Sequence, residues 1–304
     1  MSELIRAKCA ESSYIDSDTP IQFQYDRKLL SPFTQSMLYF GSIDQIKKPI
    51  VLKIPKHQVR LGQEWTGSQR AFNAKVPTPE PLALIEMDNS ILGMLFEFVE
   101  GEQLNKQAQP EKRYHFGRIV GNMHVKQPVS TSDWADNEKS QWSHFDKVRA
   151  IWKNLDVNNN EGFKRSLKIY DAFSREVITD VLFSRPSFLH GDLHDGQIIV
   201  SGEKQTLIDF GESREAQALL DVAIYCYHTL RTRSNVQNVS QFISGYSESN
   251  LISEKEKEIF TFFLLYTSLR SVEWYKKFRP RDIIYPLSHL PAVNSFIEEE
   301  YVWK

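Results

Sequence analysis

The hydrophobic period changes near residues 100–105 (EGEQLN), and that change limits what the chain can fold into. Before it, apolar residues alternate or come in short runs. Ile21, Phe23 and Tyr25 alternate with polar neighbours, and MLYF at 37–40 and IVLKI at 50–54 are compact. LALIE at 82–86 and ILGMLFEFV at 91–99 flank the turn-forming MDNS. Side chains switch faces at every residue of a strand, so this spacing predicts strands and a hairpin. One helical stretch, roughly 60–73, interrupts them and stops before VPTPEP. Proline lacks an N–H and pushes its predecessor into extended backbone.

Beyond the change, apolar residues recur at three and four. Phe116, Ile119, Val120 and Met123 do so, as do Phe145, Val148, Ile151, Trp152 and Leu155, and then Ile169, Phe173, Val177, Ile178 and Val181. These are helical stripes. LLDVAIYCYHTL and EIFTFFLLYTSLRSVEWY are apolar nearly all round, as core helices are. The polar stretches 130–144 and 157–162 read as loops. The expectation is an α+β chain with a small β-rich part over 1–100 and a larger helical part over 101–304.

Bulk properties exclude several classes. A chain of 304 residues can bury a sizeable core. Its net charge of −2, with no basic run, argues against nucleic acid as a partner. The longest apolar runs, such as IFTFFLLY at 259–266, are too short to span a bilayer. MSELIRAKCAESS lacks the apolar stretch of a signal peptide. Cys9 and Cys226 lie far apart and make no metal-type spacing, which fits a reducing compartment. A cytoplasmic protein is expected; oligomeric state leaves no mark on the sequence.

The chemistry concentrates in HGDLHDGQIIV at 190–200, followed by SGEKQ and TLIDFGE. Two short apolar runs around a polar turn make a hairpin. Asp192 precedes its first strand and Asp209 ends its second. Zinc prefers several imidazoles or thiolates, and beyond His190 and His194 the histidines fall at no recognisable spacing. Magnesium takes few protein oxygens and completes its octahedron with water and phosphate.

HGDLHDGQIIV with LIDFGE resembles the catalytic loop and metal hairpin of the aminoglycoside/choline phosphotransferase group, small-molecule relatives of the protein kinases. The family pattern is His-Gly-Asp, four residues, Asn, then an Ile/Leu-Asp-Phe/Trp strand. Other segments resemble the family in the right order: VLKIP with Lys53, LGQEWTGSQRAF with Glu64, VPTPEPLAL, LFEFVEGEQL, FGRIVGNMH, and LLDVAIY with Asp221. The resemblance covers roughly residues 25–230. It implies a bilobal protein-kinase-like fold, ATP (with GTP possible) and Mg²⁺ as cofactors, and transfer of the terminal phosphate to a small-molecule hydroxyl.

The resemblance also implies roles. Asp192 would be the base, and Asp209 with Gln197 would hold the metal. Lys53 would contact phosphates, paired with Glu64, beneath a loop that includes Ser36. Glu97, Phe98 and Val99 would offer backbone groups to adenine, while His190 and Asp221 would support the catalytic loop. The alternative for Lys53 is an edge strand with its ammonium in water. His194 reads as a variable loop position and Asp195 as an exposed turn residue.

The sequence departs from the family pattern twice. Gln197 stands where the family has Asn, one methylene longer. SPFTQSM, between Leu30 and Leu38, has no glycine, so Ser31, Thr34, Gln35 and Ser36 would supply the donors that a glycine-rich turn otherwise provides. Only GESREAQA separates the metal strand from the helix of Asp221, too short for a protein kinase's activation segment. An aminoglycoside, amino alcohol, sugar or related metabolite is the expected acceptor. The glutamates of EEEYVWK, or Trp274, Tyr275 and Tyr266 as a cage, would suit a cation, against their plainer readings as a solvated end and ordinary packing. A nucleotide-binding pseudokinase and an atypical kinase of protein or RNA remain as alternatives.

Overall fold

The computed structural model describes residues 2–10, 20–30, 36–43, 46–55, 59–87, 90–104, 110–129, 145–146, 149–150, 160–182, 184–231 and 236–298. The chain forms two compact units. One combines Met1–Leu104 with Gly196–Ser213, the other Asn105–Asp195 with Arg214–Lys304. The hairpin after HGDLHDGQ therefore packs with the N-terminal strands, although it lies far along the chain.

In the first unit, six strands close into an antiparallel barrel: β1 Ser2–Ala10, β2 Pro20–Leu30, β3 Met37–Ile43, β4 Ile46–Ile54, β5 Pro81–Met87 and β6 Ser90–Glu97. Their order is β1-β2-β3-β4-β6-β5. β1 lies outside the stretches expected to form strands. Its pairing with both β2 and β5 is what makes it a strand. Phe23, Tyr39, Ile50, Leu52, Leu82, Ile85 and Leu95 fill the interior. Helix α1 (Val59–Asn73) lies outside, with Leu61 and Trp65 packed on Met94.

Strand periodicity then fixes Lys53. Ile50 and Leu52 point inward, so Lys53 takes the opposite face, in register with Met94 under α1. β4 is flanked by β3 and β6, so Lys53 is not on an edge strand.

The hairpin of β9 (Ile198–Ser201) and β10 (Lys204–Leu207) belongs to the same unit, with β7 (Glu102–Gln103) as its third strand. The Leu207 N–H donates to Pro77 O at 2.8 Å, which ties the hairpin to the proline link.

The second unit is mainly helical: α2 Pro110–Lys126, α3 Glu161–Asp171, α4 Arg175–Leu182, α5 Leu219–Arg231, α6 Val236–Ser249 and α7 Glu254–Phe278. α2 and α6 approach so closely that glycine is required between them. A Cβ on Gly117 would lie 2.0 Å from Phe242 O, and one on Gly245 would lie 1.9 Å from Tyr114 O. Ser253 and Glu256 close a capping box on α7. Part of GESREAQA, read only as a short connector, forms β11 (Arg214–Gln217) and pairs with β8 (Pro186–Leu189). The helical stripe of Ile151, Trp152 and Leu155 and the loop at 130–144 lie outside the described residues. Among the described residues, no helix is long and apolar enough to cross a membrane.

Candidate active site

In the first unit, Lys53 is held between two carboxylates. Its Nζ donates to Glu64 Oε1 at 2.5 Å and to Asp209 Oδ1 at 2.9 Å. Glu64 reaches it because Leu61, Glu64, Trp65 and Ser68 form one buried stripe of α1. The Lys53 side chain is only 13% exposed. Burial by itself would depress the ammonium, but Asp209 and Glu64 outweigh it and hold it above the usual lysine range. Burial raises Glu64 to about 7, with repulsion from Asp209 adding to it and attraction to Lys53 opposing it.

Asp209 adopts a left-handed backbone with φ 67°. That region disfavours side chains, although Asp tolerates it better than most. Across the hairpin, the Ile208 N–H donates to Gln197 O at 2.9 Å, so residue 197 lies beside the strand end that carries Asp209. The Gln197 side chain is buried.

Ser36 is buried just ahead of β3, while residues 31–35 lie outside the described residues. Two of the expected adenine-facing donors are committed elsewhere. The Glu97 N–H donates to Glu80 O at 3.0 Å and the Phe98 N–H to Pro49 O at 2.9 Å. Among the described residues the Val99 N–H makes no backbone hydrogen bond.

In the second unit, the loop of Asp192 is built around Asp221. That fully buried carboxylate accepts the His190 N–H at 2.7 Å and the Gly191 N–H at 2.8 Å. His124 Nε2 lies 3.2 Å from the same group, and Tyr246 OH lies 3.0 Å from His124 Nδ1. Burial opposes the Asp221 charge, but the bonds from His124, with His190 and Gly191, hold its pKa below the usual carboxylate range. The His190 ring turns back on the loop, its Nδ1 accepting the Asp192 N–H at 3.3 Å. The Asp192 side chain itself stays 41% exposed.

Three features here were not legible in the sequence. Asp195 is not an exposed turn residue: it bonds fully buried Arg113 at 2.8 Å and the Tyr225 hydroxyl at 2.8 Å. His228 Nε2 lies 3.8 Å from Asp192 and His194 Nε2 lies 3.9 Å from it, their rings 5.3 Å apart. His124, inside an apolar helical stripe, carries no sequence signal beyond its spacing. The aromatic cage does not form, because Tyr266 is buried against Phe145 while Trp274 is exposed. Glu298 pairs with Arg165, and 299–304 lie outside the described residues.

A family model described as the phosphotransferase enzyme family matches residues 39–254. The chain belongs to that family. This phosphotransferase shares its fold with a choline/ethanolamine kinase family protein from Mesorhizobium loti, at 13% identity and TM-score 0.63 over 94% of this chain and 90% of that one. It is also similar to an amicoumacin kinase in complex with AMP-PNP and Ca²⁺, at 14% identity and TM-score 0.60, covering 91% and 90%. An aminoglycoside phosphotransferase from Alicyclobacillus acidocaldarius matches at 13% identity and TM-score 0.56, covering 91% and 89%. No curated protein sequence matches the chain. The neighbours share the α+β, protein-kinase-like architecture.

Proposed function

We propose that this phosphotransferase moves the terminal phosphate of ATP to a hydroxyl group of a small molecule, in the cytoplasm, with Mg²⁺ as cofactor. GTP is a second candidate donor. The observation that supports this most is the shared ammonium of Lys53. It brings the candidate phosphate-binding ammonium, the carboxylate that aims it and the candidate metal carboxylate within hydrogen-bond distance of one another. Few protein donors gather there, and among the described residues no group of three His, Cys, Asp or Glu could hold a metal. That donor set fits magnesium, which takes one or two carboxylates and draws its other ligands from phosphate and water. The complex of the similar amicoumacin kinase holds a nucleotide analogue and a divalent ion.

In this reading Asp209 and the amide of Gln197 hold the metal, which when bound neutralises phosphate charge. Lys53, released from Asp209, contacts the phosphates, and Glu64 keeps it aimed. Ser36 adds a donor near the phosphates, and Val99, with the carbonyls of Glu97 and Phe98, meets the base. Asp192 orients the acceptor hydroxyl and takes its proton, with His190 and Asp221 fixing the loop. Such chemistry asks mainly for positioning and charge neutralisation.

Transfer from labelled Mg·ATP to a panel of alcohols, with wild type, Asp192→Ala and Asp209→Ala, tests it. Asp192→Ala is expected to bind nucleotide normally and lose transfer by about a hundredfold or more; Asp209→Ala is expected to lose Mg²⁺-dependent nucleotide binding. Transfer that persists in Asp192→Ala would refute the assignment of the base.

A further inference from the structure

We infer that the acceptor alcohol also carries an anionic group, a carboxylate or a phosphate, and that Arg231 with His228 and His194 receives it. The inference rests on Asp192 as the group that meets the acceptor. Two imidazoles stand beside that carboxylate. His194 and His228 stand 3.9 and 3.8 Å from its oxygens. One helical turn beyond His228, on the same face of α5, stands Arg231.

Arg231 lacks the partner that its charge calls for. Among the described residues it has no carboxylate within ion-pair distance, and its Nε is buried without a hydrogen bond. The rings beneath it, Tyr227 at 5.8 Å and Tyr285 at 5.9 Å, lie at the far limit of cation–π contact. Asp282, on the turn after α7, is exposed and forms no ion pair with it. Cations do suit the end of a helix, but that attraction leaves the buried Nε without an acceptor. His228 Nδ1 is likewise buried without a partner among the described residues. Burial, then Arg231 and His194, keep that imidazole neutral, so it can donate one N–H to an anion without adding charge.

A guanidinium fork matches carboxylate and phosphate oxygens, and an oxyanion would satisfy Arg231 and His228 together. An acceptor bearing only an ammonium would meet the like charge of Arg231 instead.

The test pairs each probe with its neutral and cationic counterparts: glycerate and glycerol 3-phosphate against glycerol and choline. Each is titrated into the full chain saturated with Mg·AMP-PNP, and the wider panel repeats the pairing on hydroxy acids and polyol phosphates. The carboxylate and phosphate arms show which anion is preferred. At least tenfold tighter binding of anionic members over their neutral parents is expected. Arg231→Met removes that preference, while Arg231→Lys keeps part of it, and in turnover the acceptor KM rises more than kcat falls. Arg231→Gln and the melting temperature of each variant separate lost recognition from lost folding. Choline binding best, no anionic probe exceeding its parent, or Arg231→Met and Arg231→Gln retaining the preference each overturns the inference. If wild type fails to bind AMP-PNP at all, the phosphotransfer reading falls as well; intact nucleotide binding with the wrong acceptor preference overturns this inference alone.

Discussion

Lys53 shows how one side chain can be fixed by two periodicities. The strand puts it on the face opposite Ile50 and Leu52, and the helix brings Glu64 to that face through the stripe of Leu61 and Trp65. The cost falls on Glu64, whose carboxyl burial raises to about 7. A raised carboxyl favours its protonated form in the folded state. Its contribution to stability is complete below the ordinary carboxylate range and is lost as pH rises through about 7. Urea unfolding of the ligand-free protein from pH 5 to 8 is therefore expected to show Glu64→Gln gaining on wild type as pH rises. Parallel profiles would show that Glu64 is not strained. Asp195 is fixed differently, by Arg113 and Tyr225, which lie 82 and 30 residues away in sequence.

At the scale of elements, the loop that carries the candidate base is held from below by the first turn of α5. Asp221 satisfies two loop N–H groups and the His124 imidazole, which ties α2, the loop and α5 together. Its depressed carboxyl contributes stability above the ordinary carboxylate range, and that contribution is lost as pH falls through its own pKa. Asp221→Asn replaces an acceptor of three bonds with an amide that presents one oxygen. It is expected to lower stability at neutral pH by about 3 kcal/mol, the scale for breaking a buried charged network. Because the variant has no carboxylate to protonate, its deficit narrows toward acid pH. Thermal melts at pH 7 and at a series of values from pH 4 downward measure both effects.

For the whole molecule, the candidate nucleotide residues and the candidate base belong to different compact units: Lys53, Glu64, Gln197 and Asp209 to one, Asp192 and Asp221 to the other. Ligands that bind only the folded state stabilise by mass action, about 2.7 kcal/mol at a hundredfold excess over Kd. Mg·AMP-PNP is expected to raise the melting temperature of wild type and Asp192→Ala alike. The shift should disappear with EDTA and in Asp209→Ala. An equal shift without a divalent ion would separate nucleotide binding from the metal.

The strands of IVLKI and ILGMLFEFV, the helix over roughly 60–73 and the core helices at LLDVAIY and EIFTFF were legible because local hydrophobic period reports which face is buried. The adjacency of Lys53 and Glu64 was legible only through the family pattern, since strand and helix spacing name a face and not a partner. Tertiary structure alone decided the rest. β1 and β11 are strands because neighbours distant in sequence hydrogen-bond to them. Asp195 became a half-buried tether and His228 a neighbour of the candidate base by the same route. A side chain's partner is set by which elements pack together, and that depends on the summed burial of the whole unit rather than on any window of sequence.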